Sequence, residues 1–500
     1  MQKESPFRIS KISSNHFIIK VILFVFTLVS AIFFAPLGID WHHHGIMFNG
    51  AISFFSDDGK LYKDFYYHYG PLVALFHAGS FLLLGKKLLA IQYATCLVYS
   101  IVSTQLFNLS IRFFGLLKSF IIVMVAILLA PYYIWVFMPW SSVFAIPFFI
   151  IIFSILTNKE KKYSFLLFAI SITAIFFIRQ SNGILCLGAL VFLSIFNDRK
   201  LFYRKSFIAV LIISLIVITL FQLNGNLSNY INSAFNRQFG FAMSVVSSKD
   251  GTLWSFLYSI LSPYFYWESI ISPYKLFNIS FILLLFYLIS QFYIHKFDLF
   301  RRNDFGLLLF VLVSIAQMGP VACDRHYYWA FLPTIPILVF YFLDSERLMK
   351  KTRYGYYLYN LLVFVLFFNT IGEILFRINS GINRYKSESC IINTEQSFVL
   401  NGMKVNYNDS LFLFNYLNSF NKENSYKKVD VDKSGMAFLL PYAKIKKFNW
   451  IQSDSIFWIS NKNRSLEMDS FPYYIGWKHP YKLPSKSTFL YCSKNEFSIY

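Results

Sequence analysis

The stretch IIKVILFVFTLVSAIFFAPLG, residues 18–38, decides the class of this protein. It is almost wholly apolar, and about 20 apolar residues in a row allow a helix to cross the hydrocarbon core of a bilayer. A segment inside lipid must be helical, because lipid offers no partner for backbone N–H and C=O groups. The run is too long for a signal peptide and lacks an evident small-residue cleavage site, so we predict an uncleaved transmembrane helix.

Composition extends this prediction to most of the chain. The 500 residues are 56% hydrophobic and only 14% charged, whereas a soluble domain carries roughly 25% charged residues. Further apolar runs predict about eleven transmembrane helices and hence an all-α polytopic membrane protein. The predicted spans are 17–37, 88–110, 117–137, 143–157, 163–179, 183–196, 206–222, 276–294, 306–320, 330–343 and 357–378.

The positive charges predict the orientation of these spans. The even-numbered spans end in basic segments such as NDRK at 197–200 and SERLMKK at 345–351, on the same side as the basic tail 1–16. Basic residues favour the cytoplasmic side, so the N-terminus is predicted to be cytoplasmic and the C-terminus external. The formal net charge of +21 is therefore explained without a nucleic-acid partner. Lys86 and Lys87 are an exception to this pattern, because they would lie on the external side. We predict that residues 71–85 form a short interfacial helix instead of a span.

Three regions follow from this topology. They are the cytoplasmic tail 1–16, a transmembrane domain at 17–379 with its first external loop at 38–87, and an external region at 380–500. The last region has strand-like runs, one helical run and many polar residues, which predicts a small α/β domain. Cys390 and Cys492 lie in this region, and the sequence is compatible either with a disulfide between them or with two free thiols.

The first external loop concentrates the acids and imidazoles. Residues 38–77 contain four Asp and five of the nine His in the chain. Asp40 leaves the first span, where an acid is costly and therefore a functional candidate, although a helix-capping or interface-anchoring role is the alternative. His43 and His44 are candidates for metal or phosphate contacts, or else ordinary interfacial His.

The same loop carries an aromatic motif, LYKDFYYHYGP, at residues 61–71. It places Asp64 among tyrosines such as Tyr62 and Tyr69, which would line a sugar or lipid groove or else form an aromatic belt. Gly70 and Pro71 mark a turn into the next helix. By contrast Asp57, in SDDGK, has the pattern of a solvated turn.

Two later motifs bring cations to the external side. Arg179 ends a span in IRQSNG, where the positive-inside rule disfavours it, and Gln180 and Asn182 add amide donors. A planar guanidinium at this edge suits a phosphate, with a snorkelling Arg as the alternative.

The second motif joins an acid, a guanidinium and an imidazole between two spans. It consists of Asp324, Arg325 and His326. A local salt bridge is the alternative interpretation of this group.

This order of motifs resembles the multi-spanning glycosyltransferases of the GT-C superfold, especially bacterial relatives of protein mannosyltransferases and of the aminoarabinose transferase acting on lipid A. The external Asp of that family matches Asp40, and GKLYKDFYYHYGP at 59–71 resembles its aromatic element. RQSNG at 179–183 is similar to the family's K-Q-x-x-G motif, with Arg in place of Lys. The chain departs from the pattern at Trp41 and His42, where members often have a second acid.

The resemblance implies transfer of a sugar from a polyprenyl-phosphate donor to a cell-envelope glycan, lipid or protein at the outer face of a bacterial inner membrane. It implies an inverting reaction with Asp40 and Asp64 as catalytic residues. The donor phosphate would be bound by Arg179, Gln180, Arg325 and His326. Other substrate contacts would come from His43, His44, Tyr62, Tyr69, Asn182 and Asp324. The sequence requires no cofactor, and a divalent metal at Asp40 and His43 stays an open alternative.

Two other functions are compatible with a polytopic chain of this kind. An O-antigen polymerase or ligase would also have external arginines, but it would place its large loop late between spans. A polyprenyl-linked glycan transporter would show inverted repeats and charges in mid-span, and this sequence shows neither.

Overall fold

The computed structural model describes most of the predicted membrane region and a few strands beyond it. The described residues are 14–38, 41–55, 61–62, 67, 69–130, 140–158, 163–236, 284–285, 287–289, 291–292, 296–316, 324–349, 353–387, 390–391, 402–405, 428–432, 447–451, 473–476, 488–492 and 497–499. For residues 41–43 and 324–326 and for the strands beyond 427, the description covers the backbone alone.

The described chain is mostly helical. In order, the helices are α1 (Ser14–Phe34), α2 (Trp41–Ile52), α3 (Pro71–Leu84), α4 (Leu88–Ser110), α5 (Leu116–Leu128), α6 (Ser141–Leu156), α7 (Ser164–Ile178), α8 (Gln180–Phe196), α9 (Lys200–Leu223), α10 (Leu227–Ile231), α11 (Asn303–Ile315), α12 (Asp324–Phe331), α13 (Ile335–Met349) and α14 (Arg353–Ser387). Short 3₁₀ turns lie at Ser53–Phe55, Lys296–Arg301 and Leu332–Thr334, and a π turn lies at Asn232–Asn236.

Every predicted span overlaps helical residues. In 276–294 only residues 284–285, 287–289 and 291–292 are described, all of them helical, so the count of eleven stays a prediction. Two boundaries differ from expectation. The polar segment at 324–326, expected to lie between spans, opens helix α12. Helix α14 continues to Ser387, past residue 380, where the external region is predicted to start.

The surface of the bundle fits lipid. Within the described residues, four helices are long and apolar enough to cross a membrane, namely those at 16–34, 88–110, 200–223 and 353–387. The second of these, α4, is mostly buried against its neighbours, whereas α1, α9 and α14 expose most of their apolar side chains. Apolar surface of this extent is unfavourable in water but matches hydrocarbon, so the chain is an integral membrane protein.

The helix termini sort into two ends of the bundle, which we name by Arg179 and Arg112. At the Arg179 end, Arg179 donates a hydrogen bond to Ser142, so the end of α7 meets the start of α6. At the Arg112 end, Arg112 bonds the carbonyl of Ser154 and the hydroxyl of Thr157, 3.0 Å away, at the end of α6. Helices α6 and α7 are therefore antiparallel, and the polar motifs gather at one end.

Helix α3 lies at one end of the bundle and does not cross it. Gly70, just before α3, donates to the carbonyl of Ile178 at the Arg179 end (3.1 Å). Helix α4, three residues after the turn at Gly85, runs from Leu88 to the Arg112 end. Both termini of α3 thus lie at the Arg179 end, and its 14 residues extend only about 21 Å, short of the roughly 30 Å that a span needs. This is the arrangement that an interfacial helix requires.

Strands follow α14. Strands β1 (Cys390–Ile391) and β2 (Lys404–Val405) pair antiparallel. The other strands are β3 (Lys428–Asp432), β4 (Lys447–Ile451), β5 (Tyr473–Gly476), β6 (Thr488–Cys492) and β7 (Phe497–Ile499). They form one sheet in the order β4-β3-β5-β6-β7, parallel except for the last pair. Cys390 and Cys492 lie in different sheets, and the description of these two residues stops at the backbone.

Candidate active site

The aromatic loop motif docks directly beside Arg179. Besides the bond from Gly70 to Ile178, the α-carbon of Gly70 lies so close to α7 that an added Cβ would be 1.8 Å from the carbonyl oxygen of Phe177. Only glycine fits this approach, and its φ of −67° shows that space, not backbone conformation, imposes the requirement. Pro71 then starts α3 at a position where its missing N–H costs nothing. Two motifs separated by more than 100 residues are thus in contact.

Arg179 forms the junction between α7 and α8. Its extended backbone (φ −143°, ψ 100°) interrupts the two helices, and its half-buried side chain donates to the hydroxyl of Ser142. Gly183 lets α8 lie close to α7, since an added Cβ would be 2.3 Å from the α-carbon of Phe176. The guanidinium is therefore held between two helix starts, α6 and α8.

The first turn of α8 buries unsatisfied donors. Gln180 and Asn182 are 6% and 1% exposed, and among the described residues their side-chain nitrogens Nε2 and Nδ2 have no hydrogen-bond partner. The oxygen of Asn182 is 3.5 Å from the Ser181 hydroxyl. A buried donor without a partner costs about 1–3 kcal/mol, so such groups normally meet a ligand or an ordered water. The N-terminus of a helix also favours negative charge.

A chain of aromatic rings extends from the loop across the bundle. Ring centroids are 5.9 Å apart for Tyr62 and Tyr67, 6.0 Å for Tyr67 and Tyr69, 6.5 Å for Tyr69 and Trp140, and 5.7 Å for Trp140 and Trp329. The hydroxyl of Tyr62 donates to the carbonyl of Tyr69 at 2.8 Å. Burial raises the pKa of Tyr62 and Tyr67 well above the ordinary tyrosine value, so both hydroxyls stay neutral donors.

Tyr62 also has an unusual backbone. Its φ of 69° lies in the left-handed region, which costs a residue other than glycine about 1–3 kcal/mol. The rings of Tyr67 and Tyr230 and the bond to Tyr69 hold it there. Strain of this kind is concentrated at functional sites, which agrees with the candidate role of Tyr62.

Tyr230 belongs to this site, although sequence reasoning did not select it. Its ring lies 5.1 Å from that of Tyr62 and stacks on Phe221, also at 5.1 Å. Burial raises the pKa of Tyr230, while the nearby amide of Gln180 acts in the opposite direction. The Gln180 amide lies close to the Tyr230 hydroxyl, but neither Gln180 Nε2 nor that hydroxyl makes a well-formed hydrogen bond with a described residue. Tyr230 follows α9 in a polar run, NGNLSNY, which was the available signal.

Helix α12 brings the third motif to the same end. Trp329 packs against Trp140, two residues before Ser142, and Tyr328 bonds the hydroxyl of Tyr99 and the carbonyl of Ala126 (3.1 Å). Asp324, Arg325 and His326 form the first turn of this docked helix. Ser142, Trp140 and Trp329 were not selected from the sequence, but all three lie in segments that the topology assigned to the external side.

The remaining predicted site residues divide into two groups. His44 is buried, and its Nε2 lies 3.0 Å from the side-chain nitrogen of Gln92 on α4. Because an amide nitrogen can only donate, the ring nitrogen accepts this hydrogen bond. Asp40 and Asp64, like Asp57, fall outside the described residues, and His43 is placed by its backbone in α2. Where side chains are described, no three His, Cys, Asp or Glu gather as a metal site.

No protein-family model and no curated protein matches the chain in sequence. The fold is similar to that of ArnT (aminoarabinose transferase) from Cupriavidus metallidurans in the apo state, with a TM-score of 0.52 and 11% identity over 89% of this chain and 88% of ArnT. The structure of the same protein bound to undecaprenyl phosphate gives a TM-score of 0.51 and 11% identity over 87% of each chain.

A more distant likeness is to the oligosaccharyltransferase of Archaeoglobus fulgidus in complex with Zn and sulfate. Its TM-score is 0.44 and its identity 12%, over 84% of this chain and 61% of that chain. At 11% identity the ArnT likeness concerns the fold, and it extends over nearly the whole of both chains. The chain is an integral membrane protein with the GT-C fold.

Proposed function

We propose that this chain is a membrane glycosyltransferase that moves a sugar from a polyprenyl-phosphate donor to a cell-envelope glycan, lipid or protein. The observation that carries the proposal is the group of donors at the start of α8. Arg179 is held by Ser142, and the buried amides of Gln180 and Asn182 have no described partner for their N–H groups. The GT-C fold, shared with ArnT, supports a lipid-linked donor, since one ArnT structure contains undecaprenyl phosphate.

The chemistry of this group suits the phosphate of such a donor. A guanidinium, two amide N–H groups and a helix N-terminus all donate or carry positive potential, so an acceptor-rich anion is the complementary ligand. During transfer the phosphate leaves with the electron pair of the bond to the sugar, and its negative charge grows. Preorganised donors stabilise that charge most in the transition state. In this proposal Arg325 and His326, on docked α12, add to the same site.

The acceptor needs a base and the sugar needs an oriented groove. The oxygen of the acceptor hydroxyl bonds to the anomeric carbon while Asp40 takes the proton of that hydroxyl. Asp64 assists as a second carboxylate. A single displacement inverts the configuration of that carbon. The sugar contacts proposed are His43, His44, Tyr62, Tyr69, Asn182 and Asp324. A divalent metal at Asp40 and His43 stays a second option for this loop, and no step here passes through it.

The proposed placement is the inner membrane of a bacterium, with a cytoplasmic N-terminus, eleven spans and an external site. Support comes from the concentration of basic residues at the ends of the even-numbered spans. We further propose an external α/β domain after α14. Its parallel pairs, β3 with β4 and β5, and β5 with β6, support this, because parallel strands need crossover connections that are usually helical.

The test is turnover of radiolabelled polyprenyl-phosphate sugars by purified protein in detergent. We expect wild type and Asp57→Asn to consume one donor of the panel and Asp40→Asn to lose about 10²–10⁴-fold, the usual contribution of a general base. The product's anomeric configuration should be opposite to the donor's. Equal turnover in all three proteins would exclude Asp40 as base. A retained configuration would exclude single displacement, and failure with every donor and acceptor would favour the polymerase or transporter alternatives.

A further inference from the structure

The chain is clamped where it leaves α1. The backbone N–H of Lys404 donates to the carbonyl of Pro36, and the N–H of Gly38 donates to the carbonyl of Lys404, each over 2.7 Å. These two bonds make a parallel bridge between Leu37 and Lys404. The guanidinium of Arg384 donates to the carbonyl of Leu37. All three consecutive residues 36–38 are therefore bonded to segments more than 340 positions later in the chain.

Side chains reinforce these backbone bonds. The ring of Tyr385 stacks on Phe33 with centroids 4.6 Å apart, and the ammonium of Lys404 lies 4.6 Å from the Tyr385 ring. On the other side, Met403 is fully buried, and an added Cβ on Gly402 would be 2.6 Å from a methyl carbon of Leu89. The segment at 402–404 is thus wedged between the ends of α1 and α14 and the start of α4.

The clamp ends two residues before Asp40. Gly38 has a φ of 70°, a conformation that turns the chain and that residues with a Cβ rarely adopt. We infer that the backbone of Lys404 and the side chain of Arg384, together the exit clamp, are positioning elements for Asp40. This inference rests on the proposed function. It assigns the segment after α14 a part in catalysis, because a displacement of about 1 Å in a reacting group costs as much as 10²-fold in rate.

The first test needs no activity. Lys404→Pro removes the N–H that binds Pro36, whereas Lys404→Ala keeps both backbone bonds and is the matched control. Hydrogen exchange of peptides covering 36–44 should be at least about tenfold faster in Lys404→Pro than in Lys404→Ala, because a broken bridge opens locally more often. Equal exchange in the two full-length variants overturns the clamp itself, whatever the reaction is.

The second test asks whether the clamp acts through Asp40. Lys404→Pro should lower kcat about 100-fold and leave the KM for the donor within about threefold. In an Asp40→Asn background it should cost nothing more, since residues acting as one unit are not additive. Arg384→Lys, which keeps a donor for Leu37, should retain more activity than Arg384→Met.

The outcomes separate the two proposals. Additive losses, or a loss confined to KM and to undecaprenyl phosphate affinity, would show a purely structural segment and overturn the inference. Wild-type turnover by Asp40→Asn would remove the base and, with it, the positioning role, even if the exchange result showed that the clamp holds residues 36–44. A wild-type protein that consumes no donor would refute the proposed function, and the exchange result would still decide whether the clamp exists.

Discussion

Gly70→Ala tests whether the contact between the loop motif and α7 builds the site. The added Cβ would be 1.8 Å from the Phe177 carbonyl oxygen, 2.1 Å from its carbon and 2.8 Å from the Ile178 nitrogen, all of them backbone atoms. A normal separation is about 3.5 Å, so the two segments must move apart by roughly 1.5 Å. That shift breaks the bond from Gly70 to Ile178. The cost is about 2–4 kcal/mol, from overpacking and a lost buried hydrogen bond.

Because Ile178 precedes Arg179, the same shift moves the proposed phosphate site. We expect Gly70→Ala to lower the thermal midpoint in detergent and to reduce kcat/KM for the donor about 10²-fold. Gly79→Ala is the matched control, since it lies on α3 with no atom within 4 Å of its added Cβ and gains up to about 1 kcal/mol of helix propensity. Indistinguishable behaviour of the two variants in both assays would refute the argument.

Two further predictions concern single side chains. Arg179→Gln should weaken undecaprenyl phosphate binding about 10–100-fold, because a charge-assisted hydrogen bond contributes about 1.5–3 kcal/mol, and Arg179→Lys should be intermediate. Arg204→Gln, at an exposed position, is the control. Equal affinities of Arg179→Gln and Arg204→Gln in calorimetry would contradict the prediction. The pKa of Tyr62 is raised on folding, so its contribution to stability is complete below about pH 10 and is lost as pH rises toward the folded pKa. Tyr62→Phe should therefore flatten the fall in thermal midpoint above about pH 10. A pH profile identical to that of the wild type would count against burial as the cause.

Local sequence patterns predicted much of the fold. Runs of apolar residues predicted helices α1, α4 to α9, α11, α13 and α14. They could do so because a bilayer imposes a similar length and composition on each transmembrane helix. The polar departures from these runs, at Arg179 and in the loop motif, also pointed to one end of the bundle. What local patterns missed were helix continuations. Helix α14 runs through Gly381 to Ser387, past the expected boundary, because no proline interrupts residues 379–387 and a single glycine weakens a helix without ending it.

The composition of the site depends on contacts that no local pattern encodes. Gly70 meets Ile178, Tyr230 meets Tyr62 and Gln180, and Ser142 holds Arg179.

The sequence by itself determined the membrane class, the helical architecture and the kinds of donor available, because these follow from residue type and run length. Only the tertiary structure decided which donors face one another. It placed His44 against Gln92 and left the amides of Gln180 and Asn182 buried beside Arg179. It also joined Lys404 to the exit of α1. Such pairings arise from how helices pack and where chain segments cross, and they are selected by shape and hydrogen bonding over the whole bundle.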